Sequence, residues 1–197
     1  MDIKDFYIIK RNTAALQPVF TKYGFLYTKV YEGPFVFLVK LSPLQIIKDS
    51  MHHYGHDWNG AVKAAKTVLG SIDMSPVKIS GSLGLYWFPS KSPYAEDCIW
   101  FALDHIDERL CTAPKETKIF FPSGHHVTAP MSLKQFNKKM HRAQELKTTL
   151  EKRTETEEDP FWQYIFQKGI PPIVNDPITP YQINEQSEDD NIDDPRY

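Results

Sequence analysis

The sequence predicts an α+β domain: a mostly antiparallel sheet, two helices inserted after the N-terminal strands, and a long C-terminal helix with a basic face. Three observations predict it. Short apolar and aromatic runs separated by glycine and proline turns read as strands. Three other segments repeat their apolar residues every three or four positions behind helix-capping residues, and so read as helices. Finally, Leu83 to Pro89 and Cys98 to Phe101 are closely spaced runs that are apolar on both faces, the mark of buried sheet.

Taken in order, Phe6 to Ile9, Val19-Phe20, Phe25 to Val30 and Phe35 to Val39 are expected strands of an antiparallel meander, turned by Lys-Tyr-Gly and Glu-Gly-Pro. Ser42 offers an N-cap oxygen, Pro43 suits the first helical position and Gln45 completes a capping box. Leu44, Ile47, Met51 and Tyr54 then form one buried stripe up to Gly55. Asp57 caps a second helix from Trp58 to about Leu69, ended by Gly70. Trp58, Val62, Ala65 and Leu69 face inward on it, leaving Asn59, Lys63 and Lys66 opposite. Two helices joined across Gly55 are also common outside DNA-binding helix-turn-helix units, so they do not argue for insertion in a major groove.

Val77 with Ile79, Leu83 to Phe88, Cys98 to Ile106, Thr117 to Phe121 and His126 to Ala129 are five further expected strands, the last two joined by the turn Pro122 to His125. Ser132 and Gln135 repeat the capping-box spacing. Leu133, Phe136, Met140, Ala143, Leu146 and Leu150 continue at helical intervals, and Lys134, Lys138 and Arg142 form the opposite stripe, with Lys139 and Lys147 beside it. From Thr154 the chain turns acidic and proline-rich, so residues 154–197 read as a largely disordered tail, interrupted by a short helix from Phe161 to Phe166.

The length of 197 residues suits one domain, residues 1–153, with this appendage. The net charge of −2 conceals a split. Residues 1–153 carry 21 basic and 14 acidic side chains, residues 154–197 carry 2 and 11. A basic body suits a polyanionic partner, although exposed lysines on helices are most often simply solvated. Cys98 and Cys111 are the two cysteines, and no run has the length and apolarity of a membrane span, so a reducing cytoplasm is the expected setting.

Two other chemistries compete. His52, His53 and His56 beside Asp57, with His125 and His126 elsewhere, raise a metal-dependent hydrolase; no His-Glu-x-x-His or Cys-x-x-Cys spacing accompanies them, and no cofactor is expected. Tyr86, Trp87, Phe88, Trp100 and Phe101 could stack on unpaired bases in a single-strand binder, but their apolar setting favours core packing. Nucleotide-binding and nucleophile-elbow fingerprints are absent, which argues against an enzyme.

Several fragments keep a familiar order. They are Pro43 to Ile47, Tyr54-Gly55 followed by Gly60, Pro76-Val77, Leu85 to Pro89, Cys98-Ile99-Trp100 with His105-Ile106, then Thr117, Phe121, Ser123-Gly124, Pro130, Ser132, Phe136 and Arg142. From about Phe35 to Leu146 the chain resembles the ComK family of bacterial competence transcription factors, with the first 34 residues and the tail outside the resemblance. The resemblance implies an activator of genes for DNA uptake and recombination. It would bind A/T-rich promoter boxes as a dimer or tetramer through the minor groove, where A-tracts concentrate negative potential. It implies association with the nucleoid, and partners that include RNA polymerase and a Clp protease adaptor reading a C-terminal aromatic motif. The nearest such segment, Phe161 to Ile165, lacks the expected proline. After Gly60 the family commonly places a basic pair where this chain has Ala61 and Val62. The DNA-contacting candidates are therefore Asn59, Lys63, Lys66, Lys134, Lys138, Lys139 and Arg142.

Overall fold

A computed structural model describes residues 2–155. Ten strands and three helices follow in the order β1 (Ile3–Lys4), β2 (Thr13–Phe20), β3 (Leu26–Glu32), β4 (Phe35–Val39), α1 (Pro43–His53), α2 (Trp58–Leu69), β5 (Val77–Ser80), β6 (Leu85–Pro89), β7 (Trp100–Ala102), β8 (Arg109–Ala113), β9 (Glu116–Phe120), β10 (His126–Ala129) and α3 (Leu133–Glu155). Seven strands form one sheet in the order β1-β4-β3-β2-β7-β6-β5, antiparallel throughout except for the parallel β1–β4 pair. Strands β8 to β10 form a second, antiparallel sheet.

The period of two in the strands divides the core between the two faces of the large sheet. Trp87, Trp100, Leu16, Val30 and Val39 point to one face, where Ile46, Ile47 and Met51 of α1 and Trp58 of α2 cover them. Their neighbours Tyr86, Phe88, Phe101, Ala15 and Tyr31 point to the other, beneath Phe136 and Ala143 of α3 and Ile119 and Val127 of the small sheet. Both faces are therefore buried at the centre, which is why the β6 and β7 segments read as unbroken apolar runs.

The helix signals act as their spacing predicts, with one difference. Ser42 Oγ accepts from Gln45 N at 3.2 Å, but the Gln45 amide donates to Asp49 at 2.7 Å instead of closing the box. The box at Ser132 and Gln135 is reciprocal, with both backbone amides satisfied at 3.3 and 3.1 Å.

Two strand expectations are corrected, and β1, the Thr13–Pro18 part of β2 and β8 are strands beyond those expected. Phe6 to Ile9 is not a strand, because side chains satisfy its backbone: Ile9 N donates to Ser50 Oγ at 3.0 Å and Tyr54 Oη donates to Ile9 O at 2.8 Å. The strand expected over Cys98 to Ile106 is confined to Trp100–Ala102. Ser90 Oγ takes the Ile99 amide at 2.9 Å before it, and Leu103–His105 tighten into a 3-10 turn after it. Strand β8 was not expected, since it is mostly exposed and has no apolar alternation to betray it. The helix expected over Phe161 to Phe166 lies outside the described residues.

Candidate nucleic-acid interface

Local chemistry sets the rotation of α2. Asp57 Oδ2 accepts the Gly60 amide at 3.0 Å, and burial of Trp58 and Ala65 turns their side inward. Asn59, Lys63 and Lys66 are consequently exposed. On α3, burial of Phe136, Ala143 and Leu146 leaves Lys134 and Lys138 exposed and Arg142 half-exposed at the margin.

Lys139 and Lys147 do not share that stripe. Lys139 is half-buried with its Nζ 3.5 Å from Met74 Sδ, and burial pushes its ammonium below the ordinary lysine range, with Arg142 adding repulsion and Cys98 opposing both. Lys147 leaves by the other side of the helix, its Nζ 2.7 and 2.9 Å from the Asp104 carboxylate oxygens. Pairing separates these cations into two kinds. Lys10, Lys40, Lys91 and Lys147 each have a carboxylate partner, whereas among the described residues Lys63, Lys66, Lys134, Lys138 and Arg142 have none. Their charge is available to an external anion.

The two helices are neighbours. A cleft of about 280 Å³ separates Gly60, Ala61 and Ala64 of α2 from Leu146 and Leu150 of α3. A second, of about 480 Å³, is lined by Trp58, Asn59, Val62, Lys66, Met74 and Tyr94, among others. Met74 has φ 57°, the sole positive value outside glycine among the described residues, and so holds a thioether out on a strained turn. Through it Asn59 and Lys66 on one side and Lys139 on the other come to a common rim. Lys63, Lys134, Lys138 and Arg142 do not line this cleft. Met74 and Tyr94 were not legible as site residues, because each stands alone in a loop without periodicity.

Ala61 and Val62, where the resemblance implies a basic pair, are partly buried against the α1/α2 core. His52 Nε2 lies 4.0 Å from Asp57 Oδ1, His53 sits edge-on to Tyr54, His125 bonds Pro34 O at 3.0 Å and His126 packs on Phe120. Among the described residues no three side chains of ligand type gather to hold a metal ion. The five aromatics considered as a stacking platform, Tyr86, Trp87, Phe88, Trp100 and Phe101, are all buried. No helix among the described residues is long and apolar enough to cross a membrane.

A family model described as ComK protein matches residues 4–155. The match starts far ahead of Phe35, which corrects the expectation that the N-terminal strands fall outside the resemblance. A competence transcription factor of Bacillus subtilis (strain 168) is 26% identical over 130 residues, 66% of this chain and 68% of that protein. No solved structure matches. With its three helices, strands β2 to β10 and all of the described region from Lys4 onward inside the match, the chain belongs to the ComK family.

Proposed function

We propose that this protein is a transcriptional activator of competence genes that binds A/T-rich promoter boxes in duplex DNA through the minor groove, self-associated as a dimer or tetramer. Residues 1–153 form the DNA-binding domain. The observation that carries the reading is the set of cations without carboxylate partners among the described residues on two neighbouring helices of a ComK-family chain: Lys63 and Lys66 on α2, Lys134, Lys138 and Arg142 on α3. Each such cation can neutralise a phosphate and release its counterion, a contact that positions the protein without reading sequence. Asn59 beside Lys66 supplies a polar group that can bond a base edge, and Lys139 reaches the same rim from α3. Preference for A/T-rich sequence would come from their narrow minor groove, whose negative potential draws lysine and arginine.

RNA polymerase, and a Clp protease adaptor acting on the Phe161 to Ile165 segment outside the described residues, are the further partners of this reading. Nucleoid association would follow from DNA binding. Competition shift assays with A/T-box duplex, scrambled duplex and single strand over a range of salt test it. Box duplex should win at every salt concentration, and equal affinity for box and scramble removes the regulator reading.

A further inference from the structure

The hairpin of β2 and β3 reaches beyond the sheet that carries it. On its outer side β2 is paired with β7 at Ala15 and Leu16 alone, and β3 meets β4 from Thr28 onward. The last two rungs, Val19 with Tyr27 and Phe20 with Leu26, and the turn beyond them have no strand on either flank. Apolar side chains at such a free end would ordinarily be selected against. Here Phe20, Tyr23 and Phe25 are 52%, 74% and 63% exposed.

The tip is built to hold them still. Thr21 N donates to Phe25 O at 2.9 Å, Gly24 N to Thr21 O at 3.0 Å, and Phe25 N to Thr21 Oγ1 at 3.0 Å. Gly24 takes φ 81°, a conformation that favours glycine and closes the turn. Three rings thus stand on a narrow ribbon whose shape is set before any partner arrives. Lys22 Nζ lies 4.9 Å from the Tyr23 ring centre. From Phe20 to Leu26 the charged side chain is Lys22, and the segment carries no carboxylate.

Position links this arm to the rim of Asn59 and Lys66. Leu26 lines a cleft with Pro93 and Tyr94, and the same two loop residues line the cleft of Asn59 and Lys66. Tyr94 Oη is 3.4 Å from Trp58 Nε1 at the start of α2.

We infer that the Phe20–Phe25 tip is an apolar wedge that enters a base step of bound duplex DNA, unstacking and kinking it beside the α2 rim. The inference rests on the duplex-binding reading and adds to it a bend in the bound duplex, with named residues as its origin. Minor-groove proteins that bend DNA insert apolar side chains between base pairs, the unstacking being offset by contacts the bend creates. Charge decides between this occupant and a second copy of the chain. Two tips meeting end to end about a twofold axis would oppose Lys22 with its own symmetry mate and bring no carboxylate from either Phe20–Leu26 segment, whereas a polyanion complements it.

The test uses the full chain and an A/T-rich promoter duplex carrying a fluorescent adenine analogue that brightens on unstacking, with end-to-end energy transfer reporting the bend. The wild type should brighten the analogue and shorten the end-to-end distance. The Phe20→Ala, Tyr23→Ala, Phe25→Ala variant should lose both signals while its affinity falls on the order of tenfold, as loss of a base-stacking contact predicts. An unchanged thermal midpoint verifies the fold, and Tyr23→Ala alone, at the most exposed ring, serves if the triple variant does not fold. Full brightening and bending by the folded variant overturns the wedge and leaves duplex binding intact. A variant that is monomeric where the wild type associates, yet still bends DNA, assigns the tip to self-association instead. Failure of the wild type to bind duplex overturns the parent reading itself.

Discussion

Replacing Lys66, Lys138 and Arg142 together by glutamine should flatten the salt dependence of duplex binding by an amount that can be worked out beforehand. None of the three has a carboxylate partner among the described residues, so each can give its whole charge to a phosphate. Each phosphate contact contributes about 0.9 to the slope of log affinity against log salt, so losing three should lower the slope by about 2.7. At about 0.1 M salt the same contacts amount to roughly 500-fold in affinity, a difference that closes as salt approaches about 1 M. Fluorescence anisotropy titrations over a salt series measure both. Lys147→Gln is the matched control, since its ammonium is already held by Asp104 at 2.7 Å, and its slope should stay with the wild type. Loss of affinity at constant slope would refute the reasoning, because it would come from folding or shape and not from displaced counterions. An equal slope change in Lys147→Gln would refute it too, since pairing would then say nothing about which cations meet DNA.

Phe136 is fully buried with its ring centre 5.5 Å from Phe88 and 5.2 Å from Phe101, so Phe136→Ala should destabilise the domain by about 3–5 kcal/mol, read from urea unfolding; a loss below about 1 kcal/mol would show that α3 is not anchored there. Burial holds the His105 imidazole below its ordinary pKa, against the pull of Asp104. The unfolded chain therefore takes up the proton first as pH falls, and this contribution is present above about pH 6.5 and lost on descending through the folded value. Thermal midpoints followed from about pH 8 to about pH 5 should fall less steeply for His105→Gln than for the wild type, and parallel curves would contradict the assignment. Truncation after Arg153 removes 11 acidic and 2 basic side chains, and should tighten duplex binding at low salt with the gap vanishing at high salt. Equal low-salt affinities would show that this segment does not compete with DNA for the basic surface.

What the sequence determined by itself is what acts within one turn of chain. Ser42, Asp57 and Ser132 cap the helices that follow them because cap and amide stand three residues apart, and Gly24, Gly55 and Gly124 mark turns that need a positive φ. The inward stripes of α1, α2 and α3 and the paired-face burial of Leu85–Pro89 were legible for the same reason, since 3.6- and 2-residue periods are properties of the local backbone. Periodicity gives a side chain's angle about its helix but not what occupies the space at that angle. Lys138 and Lys139 are adjacent in sequence, yet Met74 lies 65 residues away and makes the second half-buried while the first meets solvent. Lys147, on the other side of α3, is paired with Asp104, 43 residues distant, and the N-terminal segment is kept from becoming a strand by Ser50 of α1 and Tyr54 just after it. Only the tertiary structure brings Tyr94 to α2 and carries the β2–β3 tip beyond its neighbours, because these depend on which strands pair and how far each one runs. Charges and rings come from the sequence; which are free to meet a partner is decided by contacts between residues far apart in the chain.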